Sequence, residues 1–191
     1  MFFVLDRFGA HHPCRWITTY PYVRGLKWQS GSRHSVPVPG PLRVALDPLN
    51  PSSSDHGPEM PEYFKGTIPL FRDDLLEAVR SAGVDNLDLY DVAVTDPDSG
   101  RVHTNYKAVN IIGVIAAADM GKSKATVHTG GPVIDVEFDE LVLDDAKPRG
   151  ALIFRLAEAT ATILVHEKLR DHLLSRGFDK LEFLPPGDVA V

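Results

Sequence analysis

A chain of 191 residues with 43% hydrophobic and 24% charged side chains is long enough to bury a core and has the balance of an ordinary globular domain. No apolar run reaches the roughly 18 residues of a membrane span, and the opening MFFVL meets Asp6 and Arg7 too soon for a signal peptide. The net charge of −6 is uneven, with six basic and four acidic side chains in residues 1–60 and fourteen against twenty-two in the remainder, an acidic body that disfavours nucleic acid as a partner.

The first predicted element is a β-strand at MFFVLD. Cys14 follows, the single cysteine, which rules out an internal disulfide and any zinc site that needs two or more thiolates. It points to a reducing cytoplasm and to an idle, buried thiol. Trp16, Tyr20, Tyr22 and Trp28 come next, as core or contact aromatics. Eight of the fifteen prolines then fall between Pro37 and Pro69. Proline fixes φ and removes a donor, so this stretch reads as neither helix nor central strand. The expectation is an irregular, surface-running arm whose Val44, Leu46, Tyr63 and Phe64 pack on the body. That sets a division into residues 1–65, a strand and arm, and 66–191, the body, within one structural domain.

The body is more regular. RDDLLEAVRSAG predicts a helix over about 72–82, with Leu75, Leu76 and Val79 on one face, acids in the first turn and Gly83 as the left-handed stop. NLDLYDVAV reads as a strand and TDPDSG as a turn. YKAVNIIGVIAAAD reads as one long central strand, because it lacks polar alternation. VIDVEFDELVL alternates, placing Ile134, Val136 and Phe138 on a buried face and Asp135, Glu137 and Asp139 on an acidic outer face. ALIFRL and TILV are short strands, HEKLRDHLLSRG a second helix and KLEFL a last strand. Residues 75–89 and 169–183 repeat at an offset of 94: Leu75 meets Leu169, Ser81 meets Ser175, Gly83 meets Gly177, Asp85 meets Asp179 and Leu87 meets Leu181. The fold class is therefore α+β, a single domain with a mostly antiparallel sheet, two helix–turn–strand units and an irregular proline-rich N-terminal arm.

Three patterns suggest chemistry. His166-Glu167 with His172 resembles a zinc-hydrolase helix, but the second histidine belongs at i+4, where Arg170 stands. The repeat also maps His166 onto Arg72 and Glu167 onto Asp73, which makes the pair a helix start. Gly121-Lys122-Ser123 resembles a phosphate loop, but Ala116 occupies the place of its first glycine. The acids Asp135, Glu137 and Asp139 share a strand face, as a catalytic or metal site would require, but nothing in the sequence supplies an apolar pocket to raise one pKa. The residues thus point to no catalytic residue, no cofactor and no metal, and leave the acidic strand as a candidate surface for a basic protein partner.

The segments IPLFRDDLLEAVRSAGVDNLDLYDVAVTDPDSGRVHTNYKAVNIIGVIAAADMGKS and LIFRLAEATATILVHEKLRDHLLSRGFDKLEF resemble a bacterial immunity-protein family of polymorphic-toxin systems, numerous in myxobacteria and formerly a domain of unknown function. The resemblance covers roughly residues 66–184. It implies a non-catalytic cytoplasmic protein that binds a cognate toxin and occludes its active site, and it carries over no site residues. The alternatives are a metal-dependent hydrolase using His166 and Glu167 or the acidic strand, and a scaffold module of a secretion system.

Overall fold

The computed structural model describes residues 1–6, 13–54, 56–128, 135–188 and 190; the side chain of Asp135 is outside the description, as is Ile134. Among these residues the chain forms thirteen strands and two α-helices. The strands form two larger sheets and a separate hairpin. The class is α+β and the pairing mostly antiparallel. No helix among the described residues is long and apolar enough to cross a membrane.

The repeat is structural. One copy is β4 (Leu70–Arg72), α1 (Asp73–Ser81) and β5 (Leu87–Thr95); the other is β12 (Ile163–His166), α2 (Glu167–Ser175) and β13 (Glu182–Leu184). In each copy the two strands run parallel and a third, antiparallel strand is inserted between them. That strand is β7 (Tyr106–Ile111) in the first copy and β1 (Phe2–Asp6) in the second. Arg72 and His166, paired by the offset, are the two N-cap residues, with ψ of 150° and 145°. Both helices end alike. Gly83 and Gly177 take φ of 95° and 87°, and the next residues, Val84 and Phe178, donate back to Val79 and Leu173. This is the left-handed stop expected of glycine at that place.

The two helices touch, and Leu75, Val79, Leu169 and Leu173 join the inner faces of both sheets in one core with Phe71, Val109, Ile153 and Val165. Two further cores cover the outer faces. The five-stranded sheet, ordered β13-β1-β12-β11-β8 with β11 at Ile153–Leu156 and β8 at Val114–Ile115, is covered on its outer face by the hairpin of β9 (Lys124–His128) and β10 (Asp135–Glu140). The six-stranded sheet runs β2-β5-β7-β4-β3, with β6 (Val102–His103) paired to β5. The arm covers its outer face with Ile17, Trp28 and Leu46.

The arm also supplies both edges of that sheet, β2 (Leu42–Ala45) and β3 (Tyr63–Phe64). Val44, Leu46, Tyr63 and Phe64 are all buried. Edge positions suit a proline-rich segment, because an edge strand leaves one side of its backbone unpaired. Arg15 fastens the arm: its guanidinium is buried between Asp96, at 2.9 Å, and Asp98, at 2.7 Å, in the turn after β5.

The run 106–119 corrects the sequence reading. It is two short strands in different sheets, β7 and β8, separated at Ile112-Gly113. Gly113 has φ of 125°, a backbone conformation open to glycine and strained for other residues. Its N–H donates to Gly31 of the arm at 2.8 Å, and its carbonyl accepts from Arg155 at 3.1 Å. The Asn86 side-chain amide donates to the carbonyls of Ile112, at 2.7 Å, and Ile153, at 3.0 Å. The chain thus passes from one sheet to the other through a hydrogen-bonded junction.

Leu169→Ala, which opens a cavity where both helices meet the sheets, lowers unfolding free energy by about 2–5 kcal/mol in urea titration. Leu174→Ala, on the exposed side of the same helix, stays within about 0.5 kcal/mol. Equal effects of the two substitutions would contradict the shared core.

Candidate functional site

His166 ends β12 and caps α2: its Nδ1 accepts the Lys168 backbone N–H at 3.2 Å, and its ring meets Phe2 edge-on with centroids 4.9 Å apart. His172 faces the other helix, with Nε2 2.9 Å from Ser81 Oγ. The two imidazoles therefore serve two different contacts and do not converge. Among the described residues no group of three or more His, Cys, Asp or Glu side chains could hold a metal ion.

In the Gly121-Lys122-Ser123 loop, Asp119 occupies the position an anion would take. It accepts the Gly121 N–H at 3.2 Å and pairs with Lys122 at 2.9 Å. Ser123 Oγ accepts the Val142 N–H at 2.9 Å and lies 3.2 Å from the Val142 carbonyl. The loop's donors are satisfied by the chain itself.

The acidic strand is β10. Val136 and Phe138 are buried against the five-stranded sheet, and Glu137 and Asp139 are exposed, as their alternation predicts. Its partner β9 sets basic side chains near two of the carboxylates. His128 Nε2 lies 3.2 Å from Glu137, and Lys124 Nζ lies 2.6 Å from Glu140. The face is acidic but partly countered by its own neighbour strand.

A deep concavity lies elsewhere, on the arm. A cavity of about 620 Å³ is walled by Tyr20, Tyr22, Val23, Leu26, Trp28 and Ile68, with Lys27 as its charged lining residue. A second cavity, of about 380 Å³, adjoins it at Gln29 and Thr160 and reaches Lys65 and Glu137. Together they form a cleft from the arm to the hairpin, and of the three acidic candidates Glu137 lies on it.

The sequence aromatics divide by position. Trp28 is core, edge-on to Tyr90 at 5.5 Å and to His34 at 4.6 Å. Trp16 stacks on His56. Tyr20 is a half-buried wall, whereas Tyr22 stands 88% exposed at the rim. Gly66 lets Tyr20 lie flat, since a Cβ there would sit 2.3 Å from the hydroxyl.

Behind the Thr160 wall the inner sheet face holds a charge. Arg155 is 1% exposed and donates through Nη1 to the Thr160 carbonyl at 2.8 Å; its Nε and Nη2 have no partner among the described residues. Burial pulls the guanidinium below its ordinary pKa, opposed by Tyr63. The buried Tyr20 hydroxyl likewise has no partner, and burial, then Asp47, raises its pKa. No spacing in the sequence distinguishes Arg155 from a solvated arginine, because its register position in IFRL is set by strand pairing.

Compared with known proteins, the chain matches no family model and no curated protein.

Burial is the largest influence on His34, His103 and His166 and holds each below the ordinary imidazole pKa, with Asp88 opposing it at His34. The folded chain then binds fewer protons than the unfolded chain. This contribution to stability is whole above about pH 6.5 and is lost as pH falls below it. The melting temperature therefore drops between pH 7.5 and 5, and His34→Gln reduces the drop; an unchanged slope would remove His34 as a contributor. Arg155→Met leaves the urea midpoint unchanged or raises it by about 1 kcal/mol of stability, because a buried charge with unpaired donors costs more than an apolar side chain of similar length. A loss above about 2 kcal/mol would show that the Thr160 bond outweighs the desolvation.

Proposed function

We propose that this protein acts by contact, as an immunity protein that binds a cognate toxin in the cytoplasm and covers its active site. The observation that carries the reading is the exposed Tyr22 at the rim of an aromatic-walled cleft. A tyrosine offers large rigid contact area with a polar tip, and such residues dominate binding energies at protein interfaces. Support also comes from the acidic hairpin at the other end of the cleft, where Glu137 and Asp139 stand exposed. Carboxylates on a protein rim steer a basic partner and raise its association rate more than they deepen the complex. The sequence resemblance over residues 66–184 points the same way.

The partner to test is the polypeptide encoded beside this chain. Co-expression restores growth that this polypeptide alone arrests, and the two elute as one complex in size-exclusion chromatography. Glu137→Lys with Asp139→Lys slows association by about tenfold at low salt, with little change in dissociation. Failure of growth rescue and of complex formation together would overturn the proposal; an unchanged association rate would remove the hairpin from the interface.

A further inference from the structure

We infer that the arm end of the cleft docks an acidic peptide segment bearing aromatic or aliphatic anchors. The first ground is charge. The chain has 26 acidic residues, yet residues 7–46 contain none and carry six of its Lys and Arg. This acid-free stretch supplies most of the cleft wall, from Thr18 to Ser30. Lys27 lines the cavity and Arg24 follows the wall residue Val23; both are exposed, and neither has a carboxylate partner among the described residues, whereas Arg15 and Arg33 are both paired. A protein of net charge −6 thus presents an unneutralised cation, Lys27, in the lining of this cavity, with Arg24 next in sequence to the wall residue Val23.

The second ground is the wall itself. Tyr22, Val23, Leu26 and Ile68 offer apolar contact, and the Gln29 amide makes no side-chain hydrogen bond among the described residues, leaving it for a peptide backbone. The occupant that complements both features is anionic and apolar together. A long polyanion fits poorly, because the body beyond the arm carries the chain's excess acid and repels it. This inference rests on the reading of the cleft as a docking surface. It holds whether or not the macromolecule that supplies the segment is a toxin.

The test uses the whole chain and synthetic probes: a fluorescein-labelled ten-residue peptide of glutamate, leucine and tyrosine, its lysine-for-glutamate counterpart, and labelled oligouridine, each followed by fluorescence anisotropy. The glutamate peptide binds saturably and more weakly at about 300 mM than at about 50 mM salt. Tyr22→Ala weakens it by about tenfold. Arg24→Glu with Lys27→Glu abolishes it without moving the thermal midpoint, and Arg176→Glu, at the end of α2, leaves it unchanged. The inference is overturned by no saturation of the glutamate peptide below about 1 mM, by equal binding of the lysine peptide, or by tighter binding of oligouridine. It is also overturned by sedimentation that shows self-association lost in Tyr22→Ala, since the occupant is then a second copy. A failure here, with growth rescue intact, leaves toxin binding standing at another surface; the reverse leaves a peptide-docking protein without toxin specificity.

Discussion

At Gly113 the chain leaves one sheet and enters the other, and much else is positioned from that crossing. The residue adopts φ of 125°. Its two peptide groups are held by the arm on one side and by β11 on the other. Asn86, just ahead of β5, ties the crossing to β11 with two further bonds. The arm meets the crossing through Gly31, where even a Cβ would come within 2.2 Å of Val114. Gly31 thus allows the arm to approach the crossing more closely than a side chain permits, and Gly113 supplies a φ strained for any other residue. The buried donors and acceptors at the junction satisfy one another, as backbone removed from water requires.

The cleft follows from this arrangement. The arm is pinned at Gly31 and again where Arg15 is gripped by Asp96 and Asp98. Between these anchors it crosses the outer face of the six-stranded sheet, burying Ile17 and Trp28 and leaving Tyr22 exposed. The 159–162 loop before β12 forms the facing wall, backed by Arg155 and its bond to Thr160. The opposite charges at the two ends have separate origins: the acid-free residues 7–46 at one, and a hairpin whose outward positions are carboxylates at the other.

Much of the fold was legible because it is written in local rules. The helices announced themselves by apolar spacing, acids in the first turn and a glycine stop, and the offset of 94 correctly paired Arg72 with His166 as helix caps. The alternation in DVEFDE correctly divided buried Val136 and Phe138 from exposed Glu137 and Asp139. What escaped was long-range. The apolar run 106–119 looks like one strand because it lacks polar alternation, and Gly113 is the mark of the break. Leu42, Val44 and Leu46 alternate within the proline-rich arm, yet the parallel pairing of β2 with β5 depends on residues some 50 positions away. Of the cleft, only its aromatics were noticed, as core or contact residues, because concavity arises from how segments assemble and not from any one of them.

The position of β1 carries a consequence for biosynthesis. Phe2 to Asp6 lie between β12 and β13, bonded to residues 164–166 on one side and 182–184 on the other. The ribosome makes this strand more than 150 residues before its neighbours. At about 5–20 residues per second, Phe2, Phe3, Val4 and Leu5 wait roughly ten to forty seconds with no sheet to enter. During that interval a nascent apolar strand is a template for misassociation, and the five-stranded sheet closes only after translation has passed residue 184. Shielding of this apolar strand during that interval favours correct closure of the five-stranded sheet.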